Sequence, residues 1–183
     1  MTALPKAKMT VDEFLAWAEG RSGRHEPVDG EVFAMPPERA RHAEVKAAAH
    51  AIMRQAVRSA GLNCHVLPDG MTVRINKGTA YEPDALVYCG ARISGEAVEV
   101  PDPIIVVEVL SPSTGPHDTG AKLVGYFQVA SVQHYLILDP TREVVIHHRR
   151  GASMIETRVV SAGQLALAPP GIEFAVEALF AED

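Results

Sequence analysis

The apolar residues between Glu38 and Ala60 recur at intervals of three and four positions, a spacing that places them on one face of a helix. Gly61 follows this stretch as a stop signal, so the pattern predicts the longest helix of the chain. A shorter helix is expected earlier, because residues 10–13 (TVDE) form a capping-box pattern, and it should end near Gly20.

Basic residues recur every four positions along the predicted long helix and therefore form one stripe: His42, Lys46, His50, Arg54 and Arg58. Such a stripe could contact phosphate groups. An ordinary amphipathic helix also carries a charged face beside its apolar one, so a solvated helix face is the favoured interpretation.

After Gly61 the pattern changes to short or alternating apolar runs, which are typical of strands. These strands are expected in the segments CHVL, MTVRI, DALVY, IIVVEVL, HYLILD, EVVIHH and MIETRVV. A helical pattern interrupts them at residues 117–130, so the strand–helix–strand succession across 104–138 predicts two parallel strands in a mixed sheet. Asp29-Gly30, between apolar residues, predicts a hairpin ahead of the long helix.

Composition limits the class of protein. The 183 residues, 47% hydrophobic and 22% charged, fit a single domain spanning residues 1–183. No run approaches the roughly 18 apolar residues of a membrane span, and no signal-peptide segment follows the first lysines, so we expect a cytoplasmic protein without membrane association. Cys64 and Cys89 lack metal-ligand spacing and are expected to be free thiols. A net charge of -6 argues against a protein that mainly coats nucleic acid.

A single acidic residue, Glu108, interrupts the apolar segment IIVVEVL. Burying it as an ion would cost several kcal/mol unless a cation or hydrogen-bond donors compensate. Two interpretations of Glu108 therefore stay open: a member of a structural ion pair, or a functional carboxylate. Asp84 is the second candidate, because it leads straight into a predicted strand, whereas Asp69 and Asp102 lie beside prolines in sequences that read as plain turns.

Asp118 and Lys122 lie four positions apart on the second predicted long helix, which alone favours a surface ion pair. A right-handed crossover, however, returns this helix over the sheet, so Lys122 can lean toward Glu108. Two carboxylates and a lysine suit metal-assisted phosphodiester hydrolysis: the acids hold Mg²⁺ or Mn²⁺, and the ammonium stabilises the transition state. Glu26 could reach the metal through a water molecule.

Several segments resemble, in sequence order, the Uma-two family of restriction endonucleases in the PD-(D/E)XK superfamily: HEPVDGEVFAM, the helix near His42, EPDALVY, VVEVLSPST, the Asp118–Lys122 pair, GYFQVASVQHYLILDP and the closing ALF. The resemblance covers most of the chain, and its specificity comes from the order of the motifs. It implies a restriction-endonuclease-like α/β (α+β) fold: a mixed four-stranded central sheet flanked by helices, with additional antiparallel strands.

The resemblance also implies roles for individual residues. Asp84 and Glu108 match the two acidic elements of the superfamily motif, which bind the metal, and Glu26 matches an acidic residue ahead of the first long helix. The superfamily lysine two positions after the glutamate is replaced by Leu110. In families of this kind the lysine has moved into the following helix, which makes Lys122 its counterpart.

The leading hypothesis is a Mg²⁺- or Mn²⁺-dependent DNA endonuclease with four catalytic residues: Glu26, Asp84, Glu108 and Lys122. The alternative is a catalytically inactive nuclease-fold protein that serves as a nucleic-acid-binding or protein-interaction module, which the net charge and Leu110 favour. Hydrolysis of RNA or of another phosphodiester stays a third possibility, because no pattern in the sequence indicates recognition of a base or of a 2′-hydroxyl. A homodimer is expected only by analogy with nucleases that cut both strands.

Motifs of other enzyme classes are absent, including the nucleophile elbow, the phosphate-binding loops and the zinc-protease helix motif. His147 and His148 are adjacent on a predicted strand. Their side chains should therefore point to opposite faces and cannot share a metal ion.

Overall fold

The computed structural model describes residues 8–111 and 116–181, except for the side chains of residues 116–118. The helices are α1 (Val11–Ala18), α2 (Ala40–Ser59) and α3 (Pro116–Gln128), with a short 3₁₀ helix at Glu177–Leu179. The strands are β1 (His25–Val28), β2 (Glu31–Ala34), β3 (Cys64–Pro68), β4 (Val73–Arg74), β5 (Ala80–Tyr81), β6 (Ala85–Cys89), β7 (Pro103–Val109), β8 (His134–Asp139), β9 (Val144–Arg150), β10 (Ile155–Val160), β11 (Gln164–Leu167) and β12 (Ile172–Ala175).

The central sheet is mixed and has the strand order β10-β9-β8-β7-β6-β3. β7 and β8 are parallel, with α3 as the crossover between them, and the other neighbouring strands are antiparallel. The predicted parallel pair and mixed sheet are confirmed. The sheet has six strands, so further antiparallel strands extend the four-stranded core that the resemblance implied, and three two-stranded ribbons lie beside it.

Helices cover both faces of this sheet. Successive residues of each strand point to opposite sides, so every strand contributes side chains to both packed faces. Val107 and Leu136 pack on the face covered by α2, together with the β11–β12 ribbon. Val106 and Tyr135 pack on the opposite face with Tyr126 of α3. The apolar run of β7 is thus buried on both faces, as its continuous hydrophobicity predicted.

The local signals near the N-terminus are confirmed. The Thr10 hydroxyl accepts from the Glu13 amide and the Glu13 carboxylate accepts from the Thr10 amide, so the capping box of α1 is complete. Asp29 and Gly30 take φ values of 50° and 81°, as a two-residue hairpin with both central residues in the left-handed region requires.

The prediction of two free thiols is wrong. Cys64 of β3 lies directly opposite Cys89 of β6, and the two sulfurs form a disulfide. Strand register decides this contact, and the spacing of the two cysteines along the sequence carries no information about register. None of the helices in the described residues is long and apolar enough to cross a membrane.

The adjacent histidines of β9 point to opposite faces, as predicted. His147 is buried against His134, and its Nε2 lies 2.8 Å from Nδ1 of that residue. His148 stacks on Tyr135 on the other face of the sheet.

Candidate active site

One cavity of about 670 Å³ opens where β6 and β7 meet the N-terminal end of α2 and the side of α3. All four residues singled out from the sequence line it: Glu26, Asp84, Glu108 and Lys122. Asp118, expected beside Lys122, lies outside the described side chains. The structure therefore brings together side chains from β1, β7, α3 and the loop before β6.

Asp84 and Glu108 come from neighbouring antiparallel segments of the sheet. Asp84 directly precedes β6, its amide donates to the Val107 carbonyl of β7 at 2.9 Å, and Glu108 follows Val107 in β7. Both carboxylates line the cavity. The Val109 amide donates to Asp84 Oδ2 at 2.7 Å and fixes the orientation of that carboxylate.

Lys122 of α3 binds two of the acidic residues at once. Its ammonium donates to Glu108 Oε1 at 3.0 Å and to Glu26 Oε1 at 3.2 Å. Tyr126, one turn further along α3, donates its hydroxyl to Glu108 Oε1 at 2.6 Å. The spacing of one helical turn thus directs both donors onto a single carboxylate oxygen.

Glu108 is held in an environment that disfavours its charge. Burial raises the pKa of its carboxyl to about 7; the Lys122 ammonium opposes this rise, and the neighbouring Asp84 and Glu26 carboxylates add to it. Burial and the Glu108 carboxylate also raise the pKa of the Tyr126 hydroxyl well above its usual value, so this hydroxyl stays a donor.

A second lysine, which the sequence analysis did not place in the site, comes from the basic stripe of α2. Lys46 is buried and donates to Glu38 Oε1 and to Asp69 Oδ2, and its ammonium lies 3.2 Å from Asp84 Oδ1. Burial alone would lower the pKa of Lys46, but hydrogen bonds to Asp69 and Glu38 raise it above its usual value. The solvated-face interpretation is therefore wrong for Lys46 and holds for Arg54, which is exposed.

Arg24 and Asp69 complete this half of the site. Arg24 forms ion pairs with Glu38, Asp69 and Glu82 at 2.9, 2.9 and 3.2 Å. Asp69 is thus more than the plain turn residue that Pro68-Asp69-Gly70 indicated, because its carboxylate pairs with two cations. The approach of Lys46 and Arg24 lowers the pKa of Asp69, despite the opposing effect of burial.

His42 begins the same stripe and carries a buried nitrogen without a hydrogen bond. Its Nε2 lies 2.9 Å from the Val109 carbonyl, which can only accept, so Nε2 donates this hydrogen bond. Nδ1 has no hydrogen-bond partner and lies 3.7 Å from Glu38 Oε2. Ligand atoms of Glu38, His42 and Asp84 lie within 4.8 Å of one another, close enough to hold one metal ion.

The ion pairs of the site leave an excess of negative charge. Six carboxylates take part: Glu26, Glu38, Asp69, Glu82, Asp84 and Glu108. Three permanent cations face them: Arg24, Lys46 and Lys122. The carboxyl groups outnumber the cations, although the raised pKa of about 7 leaves Glu108 only partly charged near neutral pH. This excess of acidic groups favours the binding of a cation.

Comparison with known proteins assigns the chain to a family. Residues 11–179 match the Uma2 family, described as "Putative restriction endonuclease". The chain belongs to this family. An uncharacterized protein of Synechocystis is 27% identical over 179 residues, which cover 96% of this chain and 93% of that protein.

A solved structure confirms the fold of this Uma2 chain. A crystal structure described as "a putative nuclease belonging to DUF820", from Anabaena variabilis, superposes with a TM-score of 0.73 at 16% sequence identity. The alignment covers 94% of this chain and 97% of that one. The resemblance to the Uma-two family and the restriction-endonuclease-like fold class predicted from the sequence are both confirmed.

Proposed function

We propose that this Uma2 protein is a metal-dependent DNA endonuclease in which Asp84 and Glu108 bind the divalent ion and Lys122 acts at the scissile phosphate. One observation carries the proposal: two carboxylates from neighbouring segments of the sheet share a cavity with an ammonium 3.0 Å from one of them. Glu26 supports the site by holding Lys122 from the other side.

The donor set suits Mg²⁺ or Mn²⁺, which prefer carboxylate oxygens. Lys122 and Tyr126 both donate to Oε1 of Glu108, so Oε2 is the oxygen left for a ligand. The bound ion would lower the pKa of an attacking water and neutralise charge on the phosphate. His42 Nδ1 and Glu38 add an imidazole and a carboxylate beside Asp84, and this nitrogen favours Mn²⁺ over Mg²⁺.

The residues of the chain supply the rest of the reaction. Lys122, held between Glu108 and Glu26, places a fixed positive charge where the pentavalent phosphorus carries its negative charge. Because both of its partners are acids, the proposed role of Lys122 is electrostatic rather than that of a base. Lys46 orients Asp84 from the opposite side by lying 3.2 Å from Oδ1.

DNA is the proposed substrate because the family description names a restriction endonuclease. The second candidate is a catalytically inactive nuclease-fold protein that binds nucleic acid or another protein. It is favoured by Leu110, which occupies the superfamily position of the catalytic lysine, and by the net charge of -6.

Nicking of supercoiled plasmid in Mg²⁺ or Mn²⁺ tests the proposal. The wild type should nick the plasmid, and Asp84→Asn and Glu108→Gln should not. Glu44→Gln is the matched control, because Glu44 is an exposed acid on α2 and should leave the rate unchanged. Intact plasmid with the wild-type protein in both metals, together with DNA retained in a gel-shift assay, would support the inactive module instead. Adding a single-stranded RNA competitor to the nicking assay tests whether the site prefers RNA to DNA.

A further inference from the structure

The outer edge of the central sheet is an exposed strand that carries apolar side chains. In β10, Ile155 is 40% exposed and Val159 is 65% exposed, and Met154 just before the strand is 68% exposed. β10 pairs with β9 on one side, and no other strand of the described chain pairs with its second edge. Natural proteins protect such edges with charged side chains, proline or a covering segment. β10 contains no proline, and its two charged residues, Glu156 and Arg158, are of opposite sign.

The register of β9 and β10 fixes which backbone groups point outward. Ile155 lies opposite Arg150, yet the Arg150 amide donates to the carbonyl of Gln133 on the far side. Arg150 and Ile155 are therefore a non-hydrogen-bonded pair, and the N–H and C=O of Ile155 point away from β9. Because the ladder alternates, the same groups of Thr157 and Val159 also point outward.

We propose that β10 pairs with β10 of a second copy of this chain, antiparallel, about a two-fold axis through Thr157. In this register Thr157 faces its own counterpart, and Ile155 faces Val159 of the second copy as hydrogen-bonded pairs. Glu156 faces Arg158 of the second copy in a non-hydrogen-bonded pair, where side chains are closest. Both exposed apolar side chains and both charges of the strand then have a partner.

Neighbouring registers are less favourable for physical reasons. A two-fold axis at Glu156 would place two glutamates directly opposite each other, and an axis at Arg158 would place two arginines opposite, both of which are destabilising. An axis between two residues would bring an outward-facing backbone position against an inward-facing one, so the ladder could not form. The axis at Thr157 is the one that satisfies both backbone and charge.

The second copy would be a partner of this chain outside the nuclease site. β8 and β9 separate β10 from the strand that carries Glu108, so pairing would extend the sheet to twelve strands and leave both cavities open. Dimer formation and cleavage can therefore be tested independently.

Disulfide trapping tests the register directly. Because the two native cysteines are bonded to each other, an introduced cysteine is the only free thiol. Thr157→Cys should cross-link to itself on mild oxidation, since hydrogen-bonded partners have Cα atoms about 5.5 Å apart. Ile155→Cys mixed with Val159→Cys should give a cross-linked heterodimer, whereas Glu173→Cys, at an exposed position of β12, should form no cross-link.

Sedimentation velocity gives the second measurement. Val159→Lys places a charge on the apolar part of the edge and should weaken dimerisation by about tenfold or more, which corresponds to about 1.4 kcal/mol. Because Val159 is exposed, the variant should keep the wild-type circular dichroism spectrum. A wild-type chain that stays monomeric at high concentration, or a dimer that persists unchanged in Val159→Lys, would overturn the proposal.

Discussion

The Lys122 ammonium lies 3.0 Å from Glu108 Oε1, although the two residues are 14 positions apart and belong to different elements. In the superfamily pattern, the lysine follows the glutamate by two positions on the same strand, where this chain has Leu110. The crossover helix α3 returns over the sheet and brings the amine back to the carboxylate. The amine of the site is thus supplied by the crossover helix α3 rather than by the strand that carries Glu108.

Replacement of Lys122 by methionine should reduce plasmid nicking by about 10²–10³-fold, because it removes the fixed positive charge proposed to face the scissile phosphate. Lys122→Arg should retain part of the rate, since the charge stays but its geometry changes. Single-turnover nicking in saturating Mn²⁺ measures both variants. Lys77→Met serves as the control, because Lys77 is exposed and outside the cavity; an equal loss in this control would refute the assignment.

Lys46→Met should destabilise the folded chain by about 3 kcal/mol, because it leaves the carboxylates of Glu38, Asp69 and Asp84 without their shared cation. Mn²⁺ should restore part of this loss, since an ion that binds only the folded state stabilises it. Urea unfolding with and without Mn²⁺ measures both effects.

The control for this prediction lies on the same helix. Arg58 ends the basic stripe and is exposed, so Arg58→Met should change the free energy of unfolding by less than about 0.5 kcal/mol. If Mn²⁺ stabilises Lys46→Met no more than it stabilises Arg58→Met, the excess negative charge around Asp84 does not attract the metal.

Much of the fold could be predicted because it follows from rules that act along the chain. Three patterns each predict one structure. The apolar spacing of α2 predicts a helix, and the continuous hydrophobicity of β7 predicts a buried strand. The succession of strand, helix and strand predicts a crossover between parallel strands. Glu108 stood out for the same reason, as a charge in a buried strand. These features need no knowledge of which distant residues meet.

Contacts set by register and packing could not be predicted in this way. The period-four stripe of α2 was visible, but the sequence does not say that Lys46 faces the sheet end while Arg54 faces solvent. Asp69 looked like a turn residue because its partners, Lys46 and Arg24, are 23 and 45 positions away. The disulfide was missed because the opposition of Cys64 and Cys89 depends on the pairing of β3 with β6.

Mild acid should destabilise the protein through its buried histidine pair. Burial lowers the pKa of His134 to about 4, and burial together with the neighbouring His134 lowers that of His147 to about 3. In the unfolded chain both rings take up protons near pH 6.5, at their ordinary pKa. The contribution of this histidine pair to the free energy of unfolding should therefore decrease as the pH falls from about 6.5 toward 4, and stay constant above this window. Glu108 opposes it in part, because the pKa of its carboxyl is raised to about 7 and the folded chain takes up that proton first.

Urea midpoints between about pH 7.5 and pH 5.5 measure this effect, a range in which most carboxylates stay ionised. His134→Asn should lower the midpoint at neutral pH but flatten its dependence on pH, because one of the two buried rings is gone. His50→Gln should keep the wild-type slope, since His50 lies on the accessible side of α2. A slope that is identical in all three proteins would place the acid sensitivity elsewhere.

Two glycines of α3 should respond in opposite directions to substitution by alanine. A Cβ at Gly125 would lie 2.7 Å from Cε2 of Tyr81, whose buried ring also packs against Tyr126. Gly125→Ala should therefore cost about 1–3 kcal/mol by overpacking, despite the better helix propensity of alanine. At Gly120 a Cβ meets nothing within 4 Å, so Gly120→Ala should stabilise the chain by about 0.5–1 kcal/mol. Urea unfolding compares them; equal stabilisation by both substitutions would mean that the Tyr81 ring moves aside freely and that Gly125 is not required for its packing.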